Sequence, residues 1–394
     1  MNFKRLTAFI LTLCMMFSLA ACGSSNAADT QETAEPAAEE TEAPVAAEKT
    51  ASTDNGDGTR TIIDQVGNEV VLPEKIERVV IASVWPLASV YILAMGTDKL
   101  VGLDPAIISA AENSMLIKIA PEISEIESGF SVGGYMNAEE LLKLDPDVVL
   151  YSSGVPEDYD VATQAGIPAV GFSLSIKDYN AVETINSWIE LLGEVMGEDL
   201  GSEEYIQYGN DMQALVAERL ADVQDEEKPR CMFIHKYADN TLNVPGTGTW
   251  ADYWITASGG INVASELEGT KAVNIEQVYE WNPDKIFITN FNDAIPDDIY
   301  NNTLCEADWS GIEAVKNQDV TKLPLGMYRW YVTCSDSPLM LLWMAMQNQP
   351  QLFEDIDFSQ TMKDFYKQFY NFDLTDEDIE YIFSPIREAA GGIK

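Results

Sequence analysis

Arg329 sits in the run Tyr328-Arg329-Trp330-Tyr331. A guanidinium presents a planar fork of donors that pairs bidentately with a carboxylate, a catecholate or an oxyanion. Rings on either side can stack on a planar chelate or macrocycle. The one histidine of the chain, His235, is followed by Lys236 and Tyr237. Its imidazole can hydrogen-bond a ligand or ligate a metal centre. Trp85 in Ser83-Val84-Trp85, Ser153 in Ser152-Ser153-Gly154, Asn290 in Asn290-Phe291-Asn292, Trp250 after Gly248-Thr249, and Tyr135 complete the candidate set. These groups bind; they do not break bonds. The same residues also have plain structural uses: a surface arginine among packed rings, a histidine closing a strand, a solvated lysine.

Bond-breaking chemistry finds little support. No P-loop, HExxH pair or serine elbow is present. With one histidine a Ser-His-Asp triad is formally possible, but no motif marks a nucleophile. A bare zinc or manganese carrier would use several histidines with carboxylates. Paired carboxylates carry no information in a chain with 65 acidic residues. The expectation is a binder with no catalytic residues and no cofactor of its own, whose ligand can contain iron or cobalt.

These residues fall where strands end. Val79-Val80-Ile81-Ala82, Val148 to Tyr151, Cys231-Met232-Phe233-Ile234 and the stretch near Val320-Leu323 read as buried strands, and ligand loops follow each. An opening hairpin spans Thr59 to Asp64 and Glu69 to Leu72, with its turn at Val66-Gly67-Asn68. The run Asp54-Asn55-Gly56-Asp57-Gly58 reads as a turn, because a calcium loop would need a closing bidentate Glu. Pro86 to Met95 reads as a helix ending at Gly96. Apolar residues at three- and four-residue spacing predict an amphipathic helix over 181–196, with Asn180 and Glu183 as a capping box. A second helix is expected over about 203–222, and a helical, apolar-sided segment over 338–383. Strands alternating with helices place the chain in the α/β class with parallel sheets.

One phrase occurs twice. NAEELLKLDPDVVL begins at Asn137 and NIEQVYEWNPDKIF begins at Asn274. Asn caps a helix, and Glu139 or Glu276 sits in its first turn, where the dipole favours negative charge. Pro-Asp ends the helix, and a buried strand follows. Two copies imply two lobes of like architecture with a cleft between them, a clamp of the kind that binds ligands.

The formal charge is −42, and most of it belongs to the folded part. That excludes nucleic acid and argues against adsorption to anionic lipid. Lys4 and Arg5, the apolar stretch Leu6 to Leu19 and Leu19-Ala20-Ala21-Cys22 form a leader with a lipoprotein processing site, so lipidation at Cys22 is expected. The reading divides the chain into a signal peptide (1–21), an acidic flexible tether (22–55), a first lobe (56–177), an interlobe helix region (178–224) and a second lobe (225–394). Cys231, Cys305 and Cys334 are too few and too scattered for a disulfide framework; they leave room for one disulfide, and buried free thiols are the favoured expectation.

Taken in order, these pieces resemble the substrate-binding lipoproteins of ABC importers for ferric siderophores, haem and cobalamin. The matching residues are Asp64-Gln65-Val66-Gly67, Arg78-Val79-Val80, Leu100-Val101-Gly102, Asn137-x-Glu139 with Pro146-Asp147, Gly166-Ile167-Pro168, Gly259 to Ala264, Asn274-x-Glu276 with Pro283-Asp284, Ser337-Pro338-Leu339 and Phe365-Tyr366. The resemblance implies two Rossmann-like lobes joined by a rigid helix, with modest closure about the ligand. It implies that Glu139 and Glu276 dock on the transmembrane permease subunits. The expected protein is a monomer, outside the cytoplasm and lipid-anchored to the bacterial membrane, with a ferric siderophore as first-ranked cargo. Haem or cobalamin comes second and an oxyanion such as molybdate third. Rival readings are a lipoprotein enzyme or chelatase on the same fold, and a surface adhesin or scaffold.

Overall fold

The computed structural model describes residues 52–238 and 241–390. The leader, Cys22 and all but the last residues of the acidic tether lie outside them. Two four-stranded parallel sheets form the frame. In the first, Leu100–Leu103, Val79–Ile81, Val148–Ser152 and Ala169–Phe172 lie side by side in that order. In the second the order is Ile261–Asn262, Arg230–Ile234, Lys285–Ile288 and Val320–Lys322. Counted along the chain, both sheets run second, first, third, fourth. Apart from Arg230 and Lys285 at their starts, the residues of their central strands are buried, and all of these but Ser152 are hydrophobic, as sheets covered on both faces require. The chain is α/β and two-lobed. A three-stranded antiparallel sheet, Lys236–Ala238, Thr241–Pro245 and Thr270–Val273, is added beside the second frame.

The repeated phrase is a helix–strand unit that locks onto a neighbouring strand. Asn137 caps the helix Ala138–Lys143 by accepting from the Glu139 and Glu140 N–H groups at 2.9 and 3.1 Å. Asn274 caps Ile275–Trp281 by accepting from the Gln277 N–H at 2.9 Å. Asp147 then accepts from the Glu77 and Arg78 N–H groups at 2.7 and 2.9 Å. The Arg78 side chain turns back on the helix end, its Nε donating to the Asp145 carbonyl at 2.8 Å. Arg230 does the same in the second lobe, donating to the Trp281 carbonyl at 2.8 Å. Cations suit the carbonyl end of a helix.

The opening hairpin pairs Thr59–Ile63 with Glu69–Pro73. Asp64 fastens it. One carboxylate oxygen accepts from the Val66 and Asn68 N–H groups at 3.0 and 2.8 Å, the other from the Gly171 N–H at 2.8 Å in the strand below. Residues 54–58 form a turn closed by their own side chains, with the Gly56 N–H donating to Asp54 at 2.8 Å. Thr53–Asp54 already pair with Arg60 and Thr61.

The helix Ala181–Met196 matches the predicted span. Asn180 accepts from the Val182 and Glu183 N–H groups at 3.1 Å each, and left-handed Gly197 (φ 67°) ends it. The Arg60 guanidinium donates to the Glu194 and Val195 carbonyls in its last turn. The helices Glu203–Leu220, Ser337–Asn348, Phe358–Tyr370 and Asp376–Phe383 follow. Their apolar sides share one core with Ala181–Met196, the strut, with the first sheet and with Cys231, Phe233 and Phe287 of the second, while a second core covers the other face of the second sheet at Met232, Ile234, Ile286 and Ile288. Cys231, Cys305 and Cys334 are free thiols. Among the described residues no helix is long and apolar enough to cross a membrane.

Candidate ligand-binding site

In a sheet of this order, the chain switches direction between its first and third strands, and ligands sit beyond the C-terminal ends of those strands. In the first lobe these ends lead into Ser83-Val84-Trp85 and Ser153. The Ser83 Oγ accepts from the Ser152 N–H at 3.0 Å and ties them together. In the second lobe they lead into His235-Lys236 and Asn290-Phe291. There the Thr289 hydroxyl and the Asn292 amide both donate to the His235 carbonyl, the latter at 3.1 Å.

A continuous chain of rings crosses the second of these sites. The Arg329 guanidinium lies 5.4 Å from the Phe291 ring centre and 5.8 Å from that of Tyr328. Phe291 meets His235 at 5.3 Å, His235 meets Tyr331 at 5.0 Å, Tyr331 meets Trp250 at 6.3 Å and Trp250 meets Tyr179 at 5.6 Å. Tyr328, Arg329, His235 and Trp250 are thus brought together. Arg329 is 2% exposed, and its Nε and Nη2 donate to the Ala389 carbonyl at 3.3 and 3.2 Å. Burial lowers its pKa, while Tyr328 opposes the shift.

Burial, and then the nearby Lys236 charge, push the His235 pKa down to about 4, so the imidazole is neutral at pH 7. Its Nδ1 has no protein hydrogen-bond partner, and neither do Trp85 Nε1, Trp250 Nε1 or Asn290 Oδ1. Among the described residues seven further buried polar atoms, Arg60 Nε and Asp336 Oδ1 included, share that state, so these four stand out by their place in the loops at the strand ends. The Asn290 amide nitrogen donates to the Leu323 and Pro324 carbonyls at 2.7 and 3.2 Å and so fixes the base of the Tyr328–Tyr331 loop.

The other candidates are not members of this ring chain. Trp330 belongs to the core rather than to a ligand surface. It is fully buried, packs edge-on against Trp343 and Phe383, and its Nε1 donates to Asp336 at 2.9 Å. Tyr135 is 79% exposed on the hairpin before the first repeat helix. Ser153 is half-buried, its N–H donating to the Phe172 carbonyl at 2.9 Å, and Lys236 is half-buried in its strand. Glu139 and Glu276 are exposed in the first turns of their helices.

Tyr179 was not anticipated. Lys177, Asp178 and Tyr179 are consecutive left-handed residues (φ 55°, 52° and 63°), a strained backbone that no glycine announces. Phe291 and Tyr331 stood in the expected loops, but their part in the ring chain comes from the fold. Cavities of about 360 and 370 Å³ lie elsewhere, one lined by Ile92, Phe369 and Tyr370, the other by Asp297, Lys322 and Ser384. Neither includes a ring-chain residue. Among the described residues no group of three or more His, Cys, Asp or Glu could hold a metal ion.

Residues 88–325 match the family described as periplasmic binding protein. The chain is 27% identical over 335 residues to the molybdate-binding protein MolA of Haemophilus influenzae, across 79% of this chain and 91% of that protein. A periplasmic solute binding protein from Veillonella parvula superimposes with a TM-score of 0.73 at 32% identity, covering 82% of this chain and 97% of the other. The molybdate-bound structure of H. influenzae MolA superimposes with a TM-score of 0.67 at 25% identity, covering 80% of this chain and 99% of the other. With its two like lobes, strand-end loops and binding rather than catalytic groups, the chain belongs to the periplasmic binding protein family and is the extracytoplasmic, non-enzymatic solute-binding component of an ABC importer.

Proposed function

We propose that this protein captures a compact oxyanion of the molybdate type and delivers it to its permease. The observation that carries the reading is the set of buried nitrogens without protein partners: Trp85 Nε1, Trp250 Nε1 and His235 Nδ1. Indole N–H groups only donate, and a neutral imidazole keeps one N–H to give. An oxyanion answers them with acceptors on every side. Arg329 supplies the positive charge. Tyr328, Arg329 and Tyr331 are 2–3% exposed, which favours a small ligand over a broad one. The similarity to MolA, a molybdate-binding protein, supports the same choice.

A ferric siderophore, first-ranked from the sequence, is the second reading. It is favoured by the successive ring faces at 5.0–6.3 Å, which suit an aromatic chelate. Haem and cobalamin share that feature and demand more open surface. Lipid anchorage at Cys22 and permease docking through Glu139 and Glu276 complete the proposal. They are supported by the leader motif and by two exposed glutamates at equivalent places on two lobes.

Thermal denaturation against a panel tests the cargo. Ligand at about 100 times its dissociation constant adds roughly 2.7 kcal/mol of stability. Molybdate and tungstate should raise Tm, while sulfate, haem and cobalamin should not. A shift with ferric siderophores alone would transfer the assignment to the second reading.

A further inference from the structure

Behind the ligand-site loop lies an acid that this reading does not use. Asp336 is fully buried. Its Oδ2 accepts from the Met327 N–H at 2.7 Å, from Trp330 Nε1 at 2.9 Å and from the Tyr366 hydroxyl at 3.0 Å. The first two donors bracket Tyr328 and Arg329. Oδ1 receives no hydrogen bond from the protein. Gly326 allows the approach: a Cβ there would lie 2.1 Å from Asp336 Oδ2 and 2.0 Å from Trp330 Nε1, and its φ of 52° is left-handed.

The surrounding segment is a junction. The Ser335 N–H donates to Ser89 Oγ in the helix Leu87–Met95 of the first lobe at 3.2 Å. The Thr333 hydroxyl donates to the Ala181 carbonyl at the start of the strut at 2.7 Å. The Tyr205 hydroxyl donates to the Ser335 carbonyl at 2.7 Å, and the Met115 N–H donates to the Gly326 carbonyl at 2.8 Å. The loop that carries Arg329 and the segment after it are therefore pinned to the first lobe, to the helix Ala181–Met196 and to the helix Glu203–Leu220, and Asp336 gathers the two ends of the loop.

We propose that Asp336 is a positioning residue: one carboxylate oxygen holds the Met327–Trp330 loop so that Arg329 is presented to the ligand, and Asp336 sets affinity without touching ligand. The proposal rests on the reading that Arg329 meets the ligand. All three donors converge on one oxygen, so an asparagine carbonyl in the same place can take them, with its amide nitrogen at the position of Oδ1. Alanine offers nothing. The titratable groups facing Asp336 are Tyr205, Tyr366 and Tyr370 from packed helices and Cys334 from its own segment, and burial raises the pKa of each. Burial likewise raises Asp336 to about 6.

The test uses the full-length protein in detergent, as wild type, Asp336→Asn and Asp336→Ala, with Trp330→Phe as a milder removal of one donor. Backbone hydrogen exchange over 324–333 needs no ligand. It should quicken about tenfold or more in Asp336→Ala, rise less in Trp330→Phe, and stay near wild type in Asp336→Asn. Sodium molybdate is the binding probe. Its Kd should rise about tenfold or more in Asp336→Ala and stay within about threefold in Asp336→Asn. Arg329→Ala with Asp336→Ala should be no weaker than Arg329→Ala alone, because the two act on one contact. Unchanged exchange in both Asp336→Ala and Trp330→Phe would overturn the proposal. So would unchanged Kd beside a lowered Tm. If wild type does not bind molybdate, the cargo assignment fails, and the exchange result still decides the role of Asp336.

Discussion

Arg230 and Asp284 clasp each other across the second sheet. The Asp284 carboxylate accepts from the Arg230 N–H at 2.8 Å, and the Asp284 N–H donates back to the Arg230 carbonyl at 2.8 Å. Arg78 and Asp147 make the same pair of bonds in the first lobe. Each clasp sits where its strand begins. In each repeat Glu139 or Glu276 is exposed in the first turn of the helix, at the other end of the unit from the clasp. The repeated phrase thus does two jobs, closing the fold at one end and presenting an acid at the other.

Asp147→Ala and Asp284→Ala should each lower stability by about 0.5–1.5 kcal/mol, the usual net worth of hydrogen bonds whose donors water can reach. Urea denaturation measures this. Ligand affinity should not change, since the clasps lie away from the strand ends that form the site.

Much of this was legible from the residues. Asn137, Asn274 and Asn180 cap as read, because a capping side chain acts within its own turn. The strut was legible from its apolar spacing, and the ligand loops from where buried strands run out. Tertiary structure decided the rest. Trp330 is drawn inward by Asp336, and Asp336 looked like one more acid among 65. Tyr179 reaches Trp250 only through left-handed backbone at three non-glycine residues, and local propensity argues against that.

Gly171→Ala should destabilise by about 1–3 kcal/mol through overpacking. A Cβ at this position would meet Val66 Cγ2 at 2.4 Å and the Tyr151 hydroxyl at 2.9 Å, and it would press on the Asp64 anchor of the hairpin. The Tm of the variant reads the cost directly.

His235 should make the protein acid-sensitive. Its folded pKa lies near 4, below the ordinary 6.5. Its contribution to stability is therefore present above pH 6.5 and is lost as pH falls through 4. Wild type should lose about 3 kcal/mol relative to His235→Gln between those limits. Asp336 is shifted upward, to about 6, so its contribution is full below pH 3.8 and lost as pH rises through 6. Asp336→Asn should remove that opposing trend. Chemical denaturation at stepped pH separates the two slopes.

Glu139→Ala combined with Glu276→Ala should leave solute binding unchanged and reduce uptake about tenfold or more, through lost docking. Transport in proteoliposomes containing the permease, set beside calorimetric binding, makes the comparison. Loss of binding in the double variant would move both residues from docking to ligand recognition.

The most direct measurement is isothermal titration of molybdate into wild type and Arg329→Ala. The account predicts one site per chain and a Kd that rises about thirtyfold or more on truncation, since removing a buried charged partner costs at least about 2 kcal/mol. No binding to wild type, or equal affinity in the variant, would contradict an oxyanion site built around Arg329.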